Sequence, residues 1–257
     1  MTVAVKDKVY IVTGGSKGFG LAIAKCLTAH GARVGLISRT QTGLDQAVAE
    51  LGADKAIGVA ADVGFRADVI AAFETITTHF GRLDGLVNNA GMATPNSIEK
   101  LVEEEVLQQV QTNFLGTVFC SQAAIPLLRG GENPRIITIS SASAWHYDEI
   151  SHLSIYASTK AAVERFTRDL RLELQSERIG VTCIRPGGAW TNFSDGWDSA
   201  AFESALAAWK DAGTYLDTGM DAAHVGESVL YALSQPPGVA VDLLEIRPNT
   251  LTPKSIF

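Results

Sequence analysis

A tyrosine and a lysine stand four residues apart in the stretch "SIYASTKAA", which runs from Ser154 to Ala162. In a helix, Tyr156 and Lys160 would lie one turn apart on the same face, with a rise of about 6 Å between them. A free tyrosine has a pKa of about 10, too high for easy proton exchange near neutral pH, and a neighbouring ammonium group favours the phenolate. The spacing therefore predicts a general acid and base whose pKa is lowered by Lys160. A packing tyrosine beside a lysine that extends to solvent would have the same spacing.

A glycine-rich turn, "VTGGSKGFGLAIA", includes the end of the first apolar run of the chain. Gly14, Gly18 and Gly20 allow positive φ angles and a close approach of the backbone to a ligand. A helix that begins here would offer free N–H groups and a partial positive charge to a pyrophosphate. Its position after the first predicted strand indicates a dinucleotide site. A tight turn without a ligand is the plainer alternative.

The end of the second apolar run, "LISRT", indicates which dinucleotide fits. An acidic residue at this position would bind the ribose 2′-hydroxyl of NAD. Ser38 and Arg39 stand there instead, and a guanidinium group can pair bidentately with a 2′-phosphate. Lys17, inside the glycine turn, is expected to add a second cation nearby. Together these residues favour NADP(H), although each cation alone could be a solvated surface charge.

Short apolar runs alternate with segments of helical periodicity along nearly the whole chain. Continuous apolar runs indicate strands buried on both faces, as in a parallel sheet. The alternation predicts one α/β domain over residues 1–257, a Rossmann-like doubly wound fold with a parallel sheet of about seven strands flanked by helices. It lapses in the aromatic-rich segment 188–220, which we call the lid. The predicted strands are 8–14, 32–38, 55–61, 82–91, 134–141, 179–187 and 239–248, and the predicted helices are 18–30, 41–51, 65–80, 98–128, 154–177 and 221–234.

Composition excludes several kinds of partner. The 257 residues are 46% hydrophobic and carry a net charge of −7, which argues against nucleic acid because phosphate binding needs a basic face. No apolar run reaches the roughly 18–20 residues of a membrane span, and the N-terminal residues do not follow a signal-peptide pattern. Cys26, Cys120 and Cys183 are expected to be buried free thiols in a reducing, cytoplasmic compartment. The histidines do not cluster, so no metal site is predicted.

Six motifs occur in an order that resembles the classical short-chain dehydrogenase/reductase family. They are "TGGSKGFG" (13–20), "NNAG" (88–91), "QTNFLG" around Asn113, "ISS" (139–141), "YASTK" (156–160) and "RPGGAWT" (185–191). The resemblance covers nearly the whole chain apart from the lid. It implies an NADP(H)-dependent enzyme that interconverts a ketone or aldehyde and an alcohol, with Tyr156 as general acid and base. It also implies a homo-oligomer, a tetramer or dimer, with the helices at 98–128 and 154–177 packed across subunits.

The resemblance also assigns roles to single residues. Lys160 would hold the ribose hydroxyls of the nicotinamide nucleotide, Asn113 would bind a water in a proton relay, Asp62 would contact adenine, and Thr191 would orient the nicotinamide carboxamide. Asn113 also falls in a predicted helix, where asparagine is locally unfavourable. The implied catalytic residues are Ser141, Tyr156, Lys160 and Asn113, and the implied cofactor-binding residues are Gly14, Ser16, Lys17, Gly18, Phe19, Gly20, Ser38, Arg39, Asp62, Val63, Asn89, Ala90, Gly91, Tyr156, Lys160, Pro186, Gly187 and Thr191, with Asn88 in the floor beside them.

Two serines compete for the role of steadying the developing alkoxide. Ser141 aligns with the catalytic serine of the family at the end of the fifth strand, but it lies two residues further from Tyr156 than is usual there. Ser143 has the usual spacing. We expect Ser141 to take the role, with the spacing explained by a two-residue loop insertion. Helix-capping or turn roles remain open for both residues.

The substrate is expected to be chosen by 142–155 and by the lid, which are rich in aromatic residues. These side chains could line an apolar pocket under a mobile lid, or they could form a small core of the lid itself. The lid has one lysine and no arginine, so a medium-sized apolar or aromatic ketone or aldehyde is the expected substrate. A non-catalytic NADP(H)-binding sensor or scaffold of the same fold is the alternative function. The candidate pocket residues are Ser143, Trp145, Trp190, Phe193 and Trp197.

Overall fold

The predicted alternation of strands and helices is present in the computed structural model, which describes residues 5–146, 151–211, 215–216, 219–250 and 252–253. In that part of the chain, seven parallel strands form one sheet in the order β3-β2-β1-β4-β5-β6-β10. The strands are β1 (Val9–Thr13), β2 (Arg33–Ser38), β3 (Ala56–Ala60), β4 (Gly85–Asn88), β5 (Arg135–Ile139), β6 (Gly180–Pro186), β7 (Ala189–Trp190), β8 (Tyr215–Leu216), β9 (Met220–Asp221), β10 (Leu243–Ile246) and β11 (Thr252–Pro253). This order confirms the doubly wound α/β fold.

Helices cover both faces of the sheet, because successive side chains of a strand point to opposite sides. Tyr10 and Val12 of β1 belong to one buried cluster, whereas Ile11 between them belongs to the other. The first cluster includes residues from α1, α2 and α8, and the second includes residues from α3, α5 and α6. The helices are α1 (Gly18–Ala29), α2 (Gln41–Leu51), α3 (Arg66–Phe80), α4 (Glu103–Val110), α5 (Gly116–Leu128), α6 (Ser154–Glu173), α7 (Ser199–Asp211) and α8 (Ala222–Leu233).

Several predicted bounds differ from the structure. The strands expected over 82–91 and 239–248 are shorter, Gly85–Asn88 and Leu243–Ile246. The helix expected over 98–128 begins at Glu103, and a π-helical segment, Gln111–Leu115, separates α4 from α5. The helix expected over 154–177 ends at Glu173 and is followed by a short 3₁₀ turn. The lid, where the alternation lapses, contains α7 and the short strands β7 to β9, of which β7 and β9 pair with each other. None of the helices in the described ranges is long and apolar enough to cross a membrane.

The strand order places a crevice at the carboxyl edge of the sheet. The chain leaves β1 toward β2 and β3 on one side and returns to β4 on the other. Ligands of doubly wound sheets bind outside the carboxyl ends of the strands at such a reversal. The glycine turn follows β1, "NNAG" begins at Asn88, the last residue of β4, and Ser141 follows β5. The motifs found in the sequence therefore converge on one edge.

Candidate active site

The glycine turn is shaped to admit a ligand close to its backbone. Gly14 and Gly18 have φ angles of +64° and +54°. Residues other than glycine rarely adopt this backbone conformation. A Cβ on Gly20 would stand 2.1 Å from the carbonyl oxygen of Gly14. Helix α1 begins at Gly18 with no side-chain cap and no acidic residue in its first turn, so its N–H groups remain available for a pyrophosphate. These features fit a dinucleotide.

The carboxyl ends of β1 and β4 are joined through a residue that the sequence analysis did not single out. The hydroxyl of Thr13 accepts hydrogen bonds from the backbone N–H groups of Asn89 (2.9 Å) and Ala90 (3.0 Å). The Asn89 side chain donates in turn to the carbonyl of Thr13 at 2.8 Å. Asn88 is buried and donates to Ser121 at 3.0 Å. Because these bonds fix the "NNAG" backbone against the glycine turn, Asn89 and Ala90 lie beside the crevice as expected.

The two cations expected to select NADP(H) have different surroundings. Arg39 is exposed at the end of β2 and makes no ion pair with any residue that the structure describes. The Lys17 ammonium instead lies at the lid, 3.4 Å from the carbonyl oxygen of Asn192 and 3.6 Å from the Asp195 carboxylate. The Lys17 ammonium is therefore paired with an exposed carboxylate of the lid, and its role beside Arg39 stays a prediction. Ser38 contacts the carbonyl of Thr40 at 3.4 Å.

The residues after β3 form a tight turn at the same edge. One carboxylate oxygen of Asp62 accepts the N–H of Gly64 at 2.9 Å, and the N–H of Asp62 donates to Asp68 at 3.4 Å. Val63 is buried against Gly116 of α5, where a Cβ would approach its Cγ2 to 2.7 Å. Asp62 thus keeps its second carboxylate oxygen available at the edge, whereas Val63 contributes packing.

Tyr156 meets Ser141 at the start of α6. The Ser141 side chain is near enough to Tyr156 to lower the pKa of its phenol by hydrogen bonding, and Ser141 itself stands two residues after the end of β5 in an extended conformation. Ser143 contacts Ser141 rather than Tyr156, with its hydroxyl at 2.9 Å and its N–H at 3.2 Å from the Ser141 oxygen. The structure therefore brings both serines together in series, with Ser141 between Ser143 and Tyr156.

Lys160 lies one turn after Tyr156 on α6 and is almost fully buried, with 4% of its surface exposed. Its ammonium donates to the carbonyl of Ile139 at 2.8 Å and stands 5.8 Å from the centre of the Tyr156 ring. Burial lowers the pKa of Lys160 from 10.5 to about 8, because an ammonium group loses its hydration there. Within the described residues the ammonium makes one hydrogen bond with its three N–H groups, so it has donors left for a ligand.

The pKa of Tyr156 departs from the expected direction. Burial raises it above its ordinary value, and the hydrogen bond from Ser141 offsets only part of that change. The net change is therefore opposite to the predicted lowering, because burial removes water from the phenolate. Tyr156 is therefore held as the neutral phenol near neutral pH.

Asn113 occupies the π-helical segment and is completely buried. Its side chain accepts the N–H of Met92 at 2.8 Å and donates to the Met92 carbonyl and the Thr159 hydroxyl, both at 2.9 Å. Both amide hydrogens are thereby used, which leaves the second lone pair of Oδ1 as its remaining side-chain capacity. The regular helix expected around this residue is wrong, since the π-helical geometry is what turns the amide toward Met92 and α6.

A narrow space separates Asn113 from Lys160. A Cβ built on Gly91 would stand 3.2 Å from the Lys160 nitrogen and 3.5 Å from Asn113 Oδ1. Both polar atoms therefore face the space that a side chain at position 91 would occupy. A water bonded to both is compatible with this arrangement. The predicted relay role of Asn113 stays a prediction, and Gly91 is the residue that leaves room for it.

The segment after β6 turns over the glycine turn. Gly187 donates to Ile246 at 2.8 Å, which extends the ladder between β6 and β10 past Pro186. Thr191 then caps a short 3₁₀ turn by accepting the N–H of Phe193 at 3.3 Å. Its Cβ lies 3.7 Å from where a Cβ on Gly18 would stand. The start of the lid is therefore close to the glycine turn, whereas Phe19 packs beneath this turn against the core.

A row of aromatic rings runs from Tyr156 into the lid. Successive ring centres are 5.4 Å (Tyr156 to Phe193), 5.9 Å (Phe193 to Trp197), 5.4 Å (Trp197 to Phe202) and 6.0 Å (Phe202 to Trp209) apart. Trp209 is buried with Ala93, Leu153 and Ala205, so the far end is a small core. Phe193, 38% exposed, is the end next to Tyr156. The far end of the row therefore forms the small core that was one of the two alternatives, and the pocket role of the end at Phe193 stays a prediction.

The remaining pocket candidates lie elsewhere. Trp145 is 58% exposed, and its ring lies over the Arg185 guanidinium at 5.5 Å rather than in the row. The side chain of Trp190 lies outside the described part of the structure. The sequence analysis also missed Thr159, which receives the Asn113 amide, and the charged residues Glu164, Arg185 and Glu245. Glu164 carried one signal, its place one turn after Lys160 on the same helix face.

Comparison with known proteins identifies the family of the chain and agrees with its fold. Residues 8–201 match the model of the short chain dehydrogenase family. An uncharacterized oxidoreductase of Staphylococcus epidermidis is 31% identical over 244 residues, which are 95% of this chain and 98% of that protein. The fold is similar to that of 3-ketoacyl-(acyl-carrier-protein) reductase from Brucella melitensis complexed with NADH, with a TM-score of 0.82 and 27% identity over 95% of this chain and 98% of that one. A short chain dehydrogenase from Burkholderia cenocepacia in complex with NADP gives 0.81 and 29% over 95% and 97%.

The fold and the matched residues define the class. The chain belongs to the short-chain dehydrogenase family, which confirms the resemblance that its motifs indicated. It is an oxidoreductase with a seven-stranded, Rossmann-like parallel sheet flanked by helices.

Proposed function

We propose that the protein is an NADP(H)-dependent enzyme that interconverts a ketone or aldehyde and the corresponding alcohol. The observation that carries this proposal is the grouping of Ser141, Tyr156 and the buried ammonium of Lys160 beside the glycine turn. The reduced cofactor would supply a hydride to the carbonyl carbon. Tyr156 would give its phenolic proton to the carbonyl oxygen, so that the carbon–oxygen double bond becomes an alcohol.

Each of the three residues has a distinct part in this chemistry. Tyr156 is the proton donor, and burial raises the pKa of its phenol, so at neutral pH it holds the proton that reduction requires. The Ser141 hydroxyl, already bonded to Tyr156, would donate to the same developing alkoxide. The Lys160 ammonium would stabilise the phenolate that remains and hold ribose hydroxyls with its free N–H groups.

Reduction at neutral pH also needs a route for the next proton. Asn113 Oδ1 and the Lys160 nitrogen both border the space that a side chain at position 91 would occupy. A water there would let a proton reach Lys160 and then Tyr156 between turnovers. In this proposal Asn113 keeps its role in the proton relay. Its side chain would contact the water only through the free lone pair of Oδ1.

The preference for NADP(H) rests on Arg39. Its guanidinium group is exposed at the end of β2, where it can pair with a 2′-phosphate without breaking an existing ion pair. Ser38 beside it offers a hydroxyl. Arg39→Asp should lower affinity for NADPH far more than for NADH, because a carboxylate would repel the 2′-phosphate. An unchanged preference in this variant would count against NADP(H) selection by Arg39.

The substrate is proposed to be a medium-sized apolar or aromatic carbonyl compound. Phe193 lies against Tyr156 and remains partly exposed, and Trp197 follows it. These rings favour an apolar group next to the reacting carbonyl. The lid adds no arginine that could clamp a carboxylate or phosphate.

A panel of carbonyl compounds and alcohols tests the function directly. Turnover is followed through the absorbance of the reduced nicotinamide, with NADPH and NADH in parallel. Tyr156→Phe is the control, and it should lose about 10²–10⁴-fold in kcat. Cofactor binding without turnover of any compound by the wild type would favour a sensor over an enzyme, and a Tyr156→Phe variant that keeps most of its kcat would remove Tyr156 as the proton donor.

We also propose that the enzyme is a cytoplasmic homo-oligomer. Large apolar side chains are exposed on the two segments expected at subunit contacts. Val102 and Leu107 near α4 are 53% and 55% exposed, and Leu172 on α6 is 63% exposed. Cys120 and Cys183 are buried and Cys26 is half-buried rather than buried, and none of the three is in a disulfide, which supports a reducing compartment. Light scattering coupled to size-exclusion chromatography tests the assembly, and a monomer at micromolar concentration would contradict it.

A further inference from the structure

A cluster of opposite charges lies beneath the candidate active site. The Arg185 guanidinium on β6, whose side chain is 8% exposed, contacts both oxygens of Glu164, at 2.8 Å from Nε and 2.6 Å from Nη2. Its Nη1 atom donates to Glu245 of β10 at 2.8 Å. One guanidinium group therefore connects helix α6 with two neighbouring strands of the sheet. We call Glu164, Arg185 and Glu245 the ionic cluster.

The ionic cluster reaches the residues that flank Ser141. The Ser140 hydroxyl lies 2.8 Å from Glu164 Oε1 and 3.3 Å from the carbonyl oxygen of Lys160. On the other side of Ser141, His146 contacts Glu245 at 2.7 Å. The segment 140–146 is thereby held at both ends by the carboxylates that Arg185 binds.

The same cluster holds the helix that carries Tyr156 and Lys160. Glu164 stands one turn after Lys160, so its contact with Arg185 fixes the rotation of α6 about its own axis. The Ser141 hydroxyl bonds to Tyr156 at the first turn of this helix. The distance between Ser141 and Tyr156 therefore depends on the loop and on α6, and both are bound to Arg185.

Stability alone does not account for a cluster of this kind. Desolvation of a buried ion pair often cancels its attraction, and apolar residues of similar size are frequently as stabilising. The hydrogen-bonded fork of a guanidinium group, however, fixes direction as well as distance. Burial alone would raise the pKa of Glu245, but the hydrogen bonds from Arg185 and His146 outweigh it and lower that pKa. The carboxylate stays charged and keeps both contacts.

We propose that Glu164, Arg185 and Glu245 are positioning residues that hold the Ser141 loop and the first turns of α6 in the geometry needed for proton transfer. None of them touches the reacting atoms. They act through Ser140, through His146 and through the rotation of α6. The kinetic part of this inference rests on the proposed function, whereas the structural part does not.

The decisive variant replaces the whole cluster by apolar residues, Glu164→Leu with Arg185→Met and Glu245→Leu. Arg247 and His146, which also contact Glu245, are partly exposed and can be hydrated in the variant. The melting temperature should therefore stay near that of the wild type. We expect kcat to fall about 10–100-fold, because small displacements of reacting groups are costly. Cofactor affinity should be retained, since β6 is fixed by its ladders to β5 and β10.

Hydrogen–deuterium exchange on the cofactor-free protein gives a readout that needs no substrate. Peptides covering 140–146 and the first turns of α6 should exchange faster in the triple variant than in the wild type. The matched control is Arg165→Met with Asp169→Leu, which removes an exposed ion pair from the same helix. This control should change neither the exchange of 140–146 nor kcat.

Wild-type kcat and wild-type exchange in a folded triple variant would overturn the proposal. Should the triple variant fail to fold, Arg185→Lys provides the second test, because it keeps the charge and loses the fork. A loss of kcat and faster exchange at 140–146 in that variant support positioning, and unchanged values for both refute it. If the wild type itself reduces no carbonyl compound, the proposed function fails, and the exchange comparison still decides the structural part.

Discussion

Replacing Lys160 by methionine removes the charge at the centre of the site and keeps most of the side-chain volume. The wild-type ammonium is almost completely buried and donates a hydrogen bond to the carbonyl of Ile139. Burial lowers its pKa from 10.5 to about 8. The charged form is thus less favourable in the folded protein than in the unfolded chain. Lys160→Met should therefore make the cofactor-free protein more stable while it abolishes activity.

The size of this effect follows from the change in pKa. Lowering it from 10.5 to about 8 costs the folded state about 3 kcal/mol, at about 1.4 kcal/mol for each tenfold change in proton affinity. The variant loses the hydrogen bond to Ile139, which offsets about 1 kcal/mol. A net gain of about 2 kcal/mol remains near pH 7, which corresponds to a rise of about 4–8 °C in melting temperature for a chain of this size.

The dependence on pH distinguishes this effect from better packing. Between about 8 and 10.5 the unfolded chain binds the Lys160 proton and the folded chain does not, so wild-type stability rises with pH in that window. Lys160→Met has no titratable group at position 160, so its stability lacks this dependence on pH. Its advantage should be full below about pH 8 and should vanish, or turn into a small deficit, as the pH approaches 10.5. Thermal melts of both proteins at several pH values measure this.

Lys100→Met is the control, because Lys100 is exposed and its replacement should change the melting temperature little at any pH. A Lys160→Met protein that is less stable than the wild type at pH 7 would refute the reasoning. A gain in stability that stays constant up to pH 10.5 would also refute it, since packing and not charge would then be the cause.

Three further replacements test the site. Ser141→Ala should lower kcat about 10²–10³-fold and Ser143→Ala less, because Ser143 contacts Ser141 and not Tyr156; steady-state rates decide, and the reverse order would make Ser143 the catalytic serine. Gly91→Ala should lower kcat with the fold intact, since its Cβ would stand 3.2 Å from the Lys160 nitrogen; an unchanged rate would show that the space beside Gly91 is not used. Gly20→Ala should abolish the thermal stabilisation by NADPH, because its Cβ would stand 2.1 Å from a backbone oxygen; stabilisation equal to that of the wild type would contradict the proposed pyrophosphate site.

The architecture could be predicted because hydrophobic periodicity determines it locally. The run "VYIVT" of β1 is buried at every position, whereas β10 at the sheet edge alternates between exposed and half-buried residues. Both patterns are readable as strands. The π-helical segment at Gln111–Leu115 has no such signal, because its residues keep helical periodicity on either side and the extra residue in the turn is fixed by contacts of Asn113 with Met92 and Thr159. Helix α7 was not predicted, because the aromatic residues of the lid interrupt the alternation of strands and helices there.

The arrangement of the site was predictable where helix geometry decides it. A spacing of four placed Tyr156 and Lys160 on one face of α6, as the structure shows. The direction of the Tyr156 pKa was not predictable, because it depends on how much water the folded chain removes from the phenol. The position of Lys17 depends on Asp195, a residue far along the chain that only the fold brings near. The ionic cluster likewise joins residues from three distant parts of the sequence.

The π-helical segment has a consequence for how this chain can change over evolutionary time. One additional residue in a turn rotates everything after it by about 100° relative to everything before it. The face of α5 that puts Gly116 against Val63 therefore depends on a residue count and not on any one side chain. Substitutions can alter the groups around Asn113, but a deletion of one residue between Gln111 and Leu115 would turn α5 away from the sheet. Insertions and deletions should be excluded from this stretch more strictly than substitutions are.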